Sequence, residues 1–259
     1  MGKRGILVIA HGSSKPEWVQ LVDEAVSRVE VDLPVATGFL EMVEGRTILN
    51  GIRALETAGV TEIIAVPLFV SSGSTHIVEI GYYLGLVSEP QIETEGERLP
   101  IKAQVRMTDA MDDHPLIAEI LLERARELSE QPQQEALLLV GHGSELPGFK
   151  EKWENSMNSL ARQLQEKMGF RKTACATLHP DSVREKAEAL RRTFSRVIVL
   201  PLFLSEGYFT RKVVPGRLQG LDVQYSGKTY LPHPLISRWI ASVVKEQKAA
   251  AENPTIPSV

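Results

Sequence analysis

The sequence holds a single cysteine, Cys175, in 259 residues. One thiol rules out an internal disulfide framework and a zinc ribbon, both of which need cysteines in sets. An excess of one charge is missing too: 29 Lys and Arg stand against 33 Asp and Glu, a formal net charge of −4. A basic surface over the whole chain is therefore excluded, and with it the electrostatic footprint of a nucleic-acid binder. Long apolar runs are also lacking, since stretches such as residues 197–204 fall far short of the ~20 residues a membrane span needs. The opening Met-Gly-Lys-Arg leads into a short strand-like run, without a signal peptide's apolar core and small-residue cleavage site. The expectation is a cytoplasmic, soluble chain with no nucleic-acid and no membrane partner. Aromatic residues are few, at 6%, yet apolar residues reach 43% and charged residues 24%. That balance excludes disorder as the main state, and the length suits two domains.

The chain repeats itself. Residues 6–13 read ILVIAHGS and residues 137–144 read LLLVGHGS. VPLFVS at 66–71 returns as LPLFLS at 200–205, and HPLI at 114–117 returns unchanged at 233–236. Three anchors in the same order point to a duplication with small insertions and deletions. The polar stretch 129–135 has linker composition, which predicts two similar domains at 1–130 and 135–259.

Within each half, short β-branched apolar runs alternate with longer amphipathic segments. Strands are expected at 5–10, 34–40, 62–69 and 101–107, then at 136–141, 171–177, 196–203 and 222–227. Helices are expected at 16–31, 45–58, 76–86 and 115–129, with others between the strands of the second half. This alternation predicts an α/β fold: two tandem domains, each a parallel sheet with helices on both faces, and a cleft between them. In such sheets ligands bind beyond the carboxyl ends of the strands.

Polar residues stand at those ends. His11 follows the first strand, Glu41 the second, His76 lies beyond the third and His114 follows the fourth. Two imidazoles and a carboxylate from different strands can hold a divalent first-row cation while leaving positions open to a substrate. Each has a plainer reading. His114 and His233 both precede Pro at apparent helix starts, where capping is the expected role, and Glu41 alone reads as a solvated loop carboxylate. The HGSS and SSGS segments offer backbone amides for an anion but match neither the P-loop nor the dinucleotide fingerprint. Ala10 and Gly141 stand before the two His-Gly pairs, where a histidine phosphatase needs Arg, so that reading is rejected.

In order, VIAHGSS, PVATGFLEM, AVPLFVSSGSTHIVEI, LLLVGHGS and VLPLFLSEGYFTRKVVP resemble the class II chelatases of tetrapyrrole biosynthesis. The closer resemblance is to the two-domain sirohydrochlorin chelatases that insert cobalt or iron, and it spans nearly the whole chain. It implies a lyase whose metal-binding and catalytic residues are His11, Glu41 and His76. Sirohydrochlorin is then the partner, Co²⁺ or Fe²⁺ (ahead of Ni²⁺) the metal substrate, and no organic cofactor is implied. The repeat supplies both halves of the expected cleft, so a monomer is expected.

The second half departs from the pattern. His142 matches His11, but aligning the PLF motifs sets Thr210 opposite His76. The counterpart of Glu41 falls in Ala174–His179, which has no carboxylate, and His179 substitutes only if the alignment slips. The second half is therefore expected to have kept the fold and lost the site. Neutral imidazoles suit a borderline cation and can accept the pyrrole protons. A substrate with eight carboxylates calls for local cations, and Arg46, Arg211 and Lys212 are the candidates for binding it. The competing class is a carrier that holds metal or tetrapyrrole without turnover.

Overall fold

The computed structural model describes residues 2–90, 92–94 and 96–252. Its first sheet comprises β1 (Arg4–Ala10), β2 (Val35–Phe39), β3 (Glu62–Pro67) and β4 (Gln104–Met107), in the order β2-β1-β3-β4. The second comprises β5 (Ala136–Gly143), β6 (Lys172–His179), β7 (Val197–Pro201) and β8 (Gln224–Tyr225), in the order β6-β5-β7-β8. Every strand pair is parallel. The connecting helices in the first half are α1 (Pro16–Ser27), α2 (Ile48–Thr57), α3 (Thr75–Tyr83) and α4 (Pro115–Arg126). In the second half they are α5 (Phe149–Met168), α6 (Val183–Arg191), α7 (Val214–Leu218) and α8 (Pro234–Glu252), with α7 entered through a π-helical turn at Phe209–Val213. The tandem parallel α/β architecture expected from the alternation is thus present. Among the described residues no helix is long and apolar enough to cross a membrane.

The central strands show why the sheets are parallel and covered. Ile6–Ala10, Ala136–Val140 and Val197–Leu200 are all 0% exposed. A strand packed under helices on both faces has no solvent side, so its sequence loses alternation and reads as an unbroken apolar run. Each such Leu, Ile or Val contributes about 1.5–3 kcal/mol on burial.

Local chemistry sets the helix ends. Thr47 accepts from the Asn50 amide while the Asn50 side chain accepts from the Thr47 amide, a reciprocal cap on α2 of a kind whose loss costs about 1 kcal/mol. His114 and His233 cap α4 and α8, each ahead of a proline at the first helical position. Their Nδ1 atoms accept from the amides of Leu116 and Leu235 at 3.1 and 3.2 Å. The Nε2 of His233 also bonds Glu123 at 2.9 Å. Both histidines therefore have the structural roles their Pro neighbours suggested.

The joint between the repeats is more ordered than its composition implies. The Glu135 side chain is 2% exposed and accepts from the amides of Glu130 and Gln131 at 2.9 Å each, with Arg196 at 3.4 Å. A polar segment holds one conformation when a buried carboxylate collects its donors in this way.

The packing units are not consecutive in sequence. One takes the chain up to Phe69, Thr75–Ala110 and the chain from Ile236; the other takes Val70–Ser74 and Met111–Leu235. The packing units are thus not the sequence repeats themselves, because the last helix of each repeat belongs to the other sheet's unit. In the first unit the Ser237 hydroxyl of α8 donates to the Ala25 carbonyl of α1 at 2.7 Å. In the second, Lys167 of α5 meets Glu119 of α4 at 2.7 Å.

Candidate metal centre

Because β1 lies between β2 and β3, the loops beyond their carboxyl ends are neighbours. His11 ends the first strand's run, Glu41 stands two residues past Phe39, and His76 sits in the first turn of α3. The backbone ties the first two together: the Glu41 amide donates to the His11 carbonyl at 2.9 Å. Gly12 permits this approach. Its φ is +106°, and a Cβ there would collide with the Glu41 carbonyl oxygen, so no larger residue fits.

The three side chains come together at this edge. His11 Nε2 is 3.3 Å from Glu41 Oε1, and the His11 and His76 ring centroids are 4.7 Å apart, edge to face. The side chains are 35%, 47% and 36% exposed for His11, Glu41 and His76, which leaves them open to a solute. Among the described residues no three His, Cys, Asp or Glu already stand at ligating geometry. Gripping a cation here takes side-chain rotation, for which that exposure leaves room.

Hydrogen bonds on the far nitrogens aim both rings. His11 Nδ1 lies 3.1 Å from the Gly12 carbonyl. A carbonyl only accepts, so Nδ1 donates to it, and Nε2 is the nitrogen that faces Glu41. His76 Nδ1 lies 3.1 Å from Glu79 Oε2, and the other Glu79 oxygen accepts from the Tyr83 hydroxyl at 2.8 Å. Glu79 escaped the sequence reading, although His-x-x-Glu spacing on one helix face was a usable signal. Carboxylates in this position fix a ligand's tautomer and raise its basicity.

The proposed substrate-binding cations occupy different settings. Arg46 makes two bonds to Asp23, at 2.7 and 2.8 Å, and its guanidinium lies 4.9 Å from the centre of the Phe39 ring. Its charge is thus already engaged. Arg211 reaches Glu206 at 3.1 Å with a side chain 69% exposed, and Lys212 beside it is exposed. Near Glu41, Met42 stands 61% exposed at φ +62°, a conformation that non-glycine residues adopt at a cost.

The second unit repeats the edge with different side chains. His142 Nδ1 lies 3.1 Å from the Gly143 carbonyl, as in His11. Gly143, at φ +78°, lets the His179 carbonyl approach where a Cβ would collide. Ala10 pairs with Phe39 in the first sheet, and Gly141 pairs with Thr177 in the second. This register makes His179 the counterpart of Glu41. The Phe209 ring takes the place of His76: it lies 5.3 Å from His142 and 5.8 Å from Phe203, as His76 lies 4.7 Å from His11 and 5.9 Å from Phe69. The motif alignment that set Thr210 opposite His76 is therefore one residue out at the π-helical turn. Thr210 itself is buried and bonded to Gly207. Burial pushes the Cys175 thiol up to about 11.

The fold is that of the class II chelatases. The chain is similar to SirB from Bacillus subtilis with Fe³⁺, with a TM-score of 0.75 and 19% identity over 96% of this chain and 97% of that one. It is also similar to the sirohydrochlorin chelatase SirB from Bacillus subtilis subspecies spizizenii in complex with cobalt, with a TM-score of 0.70 and 18% identity over 96% and 97%. The CbiX family model matches residues 5–128 and again 136–250, and the chain belongs to that family. A relative from Methanococcoides burtonii, a sirohydrochlorin cobaltochelatase, is 34% identical over 133 residues, 49% of this chain and 97% of the relative.

Proposed function

We propose that this protein is a sirohydrochlorin chelatase, inserting a divalent first-row cation into the macrocycle with release of the two pyrrole protons. One observation carries the reading: two imidazoles, each hydrogen-bonded from behind through Nδ1, stand beside a carboxylate at the strand edge of the first unit. Family membership and the named relatives support the substrate. His11, Glu41 and His76 bind the metal. Glu41 offsets part of its charge, and the imidazoles exchange metal for a pyrrole proton as the cation passes to the ring nitrogens. Neutral nitrogen donors with one carboxylate suit cobalt and iron alike, so both are proposed metal substrates. Arg211 and Lys212 hold substrate carboxylates, while Arg46 acts chiefly through its pairing with Asp23 next to the Glu41 loop.

The test incubates the purified protein with sirohydrochlorin and each of Co²⁺, Fe²⁺ and Ni²⁺, following the absorption change against a control without enzyme. Accelerated insertion of Co²⁺ or Fe²⁺ supports the proposal. Tight metal or tetrapyrrole binding with no acceleration turns the protein into a carrier.

A further inference from the structure

Six histidines occur in the chain, and four have been assigned: His11 and His76 to the first unit's edge, His114 and His233 to helix caps. The remaining two, His142 and His179, stand together at the carboxyl edge of the second sheet. Their ring centroids are 4.8 Å apart at 40°, within 0.1 Å of the separation between the two imidazoles of the first unit. We propose that His142 and His179 form a second cation site, for a divalent first-row metal of the kind that imidazole favours.

Three features support the assignment. The first is orientation: His142 Nδ1 lies 3.1 Å from the Gly143 carbonyl, the same backbone contact that His11 makes, so in the neutral ring Nδ1 carries the proton and Nε2 is the ligating nitrogen. The second is access. His179 is exposed and lines a pocket of about 300 Å³ together with Ser144, Thr177 and Trp153, which gives a hydrated cation an approach from the His179 side. In the first unit Phe39 stands where Thr177 stands here, packed against Trp18 and under Arg46. The third is backbone economy: Gly143 is held at positive φ where a Cβ would strike the His179 carbonyl, which keeps the two histidine-bearing strand ends close together.

The donor set also fixes the site's character. The two imidazoles have no carboxylate of their own, the third position is the hydrocarbon ring of Phe209, and the pocket's Glu154 is already paired with Lys150 at 3.8 Å, with Lys186 beside them in the lining. Two neutral donors beside a cationic group bind more weakly and exchange faster than two donors with a carboxylate. Imidazole favours cobalt, nickel, copper or zinc over magnesium and calcium. The site is a low-affinity second position for the transition metal, independent of whether the first unit performs chelation.

Titrating the metal-free full-length protein with Co²⁺, by calorimetry and by the visible absorption of bound cobalt, tests this. Two classes of site are expected. The weaker should disappear in the His142→Ala/His179→Ala variant and survive in His11→Ala/His76→Ala. A single class at saturation, or a weaker class that persists without His142 and His179, overturns the assignment. Circular dichroism checks the fold. Should the double variant not fold, His179→Gln alone, at an exposed position, must weaken the second class at least tenfold.

Discussion

His76 Nδ1 lies 3.1 Å from Glu79 Oε2, one helical turn further along α3, and Tyr83 holds the other oxygen of that carboxylate at 2.8 Å. The arrangement orients the ring from behind, and the proposed metal site uses its Nε2. Glu79→Ala removes the acceptor, so Co²⁺ affinity is expected to fall about 10–100-fold. Glu79→Gln keeps an acceptor oxygen without the charge and should retain part of that affinity. Calorimetric titration of both variants checks this. Equal affinities in wild type and Glu79→Ala would reduce Glu79 to a surface residue.

The cluster it serves should fail as a unit. His11→Ala or His76→Ala removes one of two imidazoles, and insertion rates under limiting metal should fall by orders of magnitude. Glu41→Gln keeps the size of the side chain and should raise the metal concentration needed for half-maximal rate, with the melting temperature unchanged. His233→Asn removes an imidazole from a helix cap but keeps a capping acceptor, so its insertion rate should match wild type. A rate loss in His233→Asn equal to that in His11→Ala would mean that the assay reports stability rather than metal capture.

These residues were legible in the sequence for a physical reason. A strand buried on both faces reads as an apolar run, and the first polar residue after each run marks the sheet edge. His11 and Glu41 stand out that way, whereas His76 lies further on, behind residues 71–75, and is placed at the same edge by the start of α3. Glu79 was missed because it acts through another side chain and lies inside a helix rather than at a strand end. His179 was undervalued because the repeats differ in length between their first and second strands, and only the ladder, Gly141 to Thr177 against Ala10 to Phe39, fixes which residue follows which. Phe209 was hidden by the π-helical turn, which changes helical phase without leaving a gap in the motif. The joint at 129–135 read as a linker because composition does not show that Glu135 gathers its donors inward.

Arg211 and Lys212 lie exposed on the π-helical turn, and Arg211 pairs with a half-exposed Glu206. Such a pair contributes little to stability and can be exchanged for a substrate carboxylate. Replacing both with Ala should raise KM for sirohydrochlorin several-fold at low salt and less at high salt, where screening already weakens the attraction. The value of kcat should change less. A KM that does not move at low salt would return both residues to ordinary surface charge.

Glu135 makes the fold sensitive to acid. Burial, its largest influence, pushes the carboxyl up. The Gln131 amide, the Ser129 hydroxyl, the Glu130 amide and Arg196 together outweigh it and hold the group below its ordinary 4.5. A lowered carboxylate stabilises the folded chain fully above its unfolded value, and that contribution is lost as pH falls through the folded value. Glu135→Gln should cost about 1–3 kcal/mol at neutral pH and flatten the acid side of the stability curve below pH ~4.5. Denaturant melts of both proteins from pH 7 downward measure the difference. Parallel acid profiles would show that another group carries the acid transition.

The second edge can be rebuilt from its own geometry. Phe209 lies 5.3 Å from His142 and stacks 5.8 Å from Phe203, the place that His76 fills beside His11 and Phe69. Phe209→His would set a third imidazole next to His142 and His179 at the cost of an apolar contact, so a loss of about 1–2 kcal/mol in stability is expected. In exchange, Co²⁺ binding in the second unit should tighten by at least tenfold, and its visible spectrum should shift as a nitrogen ligand replaces water. The gain must vanish when His142→Ala is added. If Phe209→His destabilises the protein without strengthening metal binding, then the Phe209 ring position does not face the two imidazoles as His76 faces His11. The likeness between the two edges would then end at the backbone.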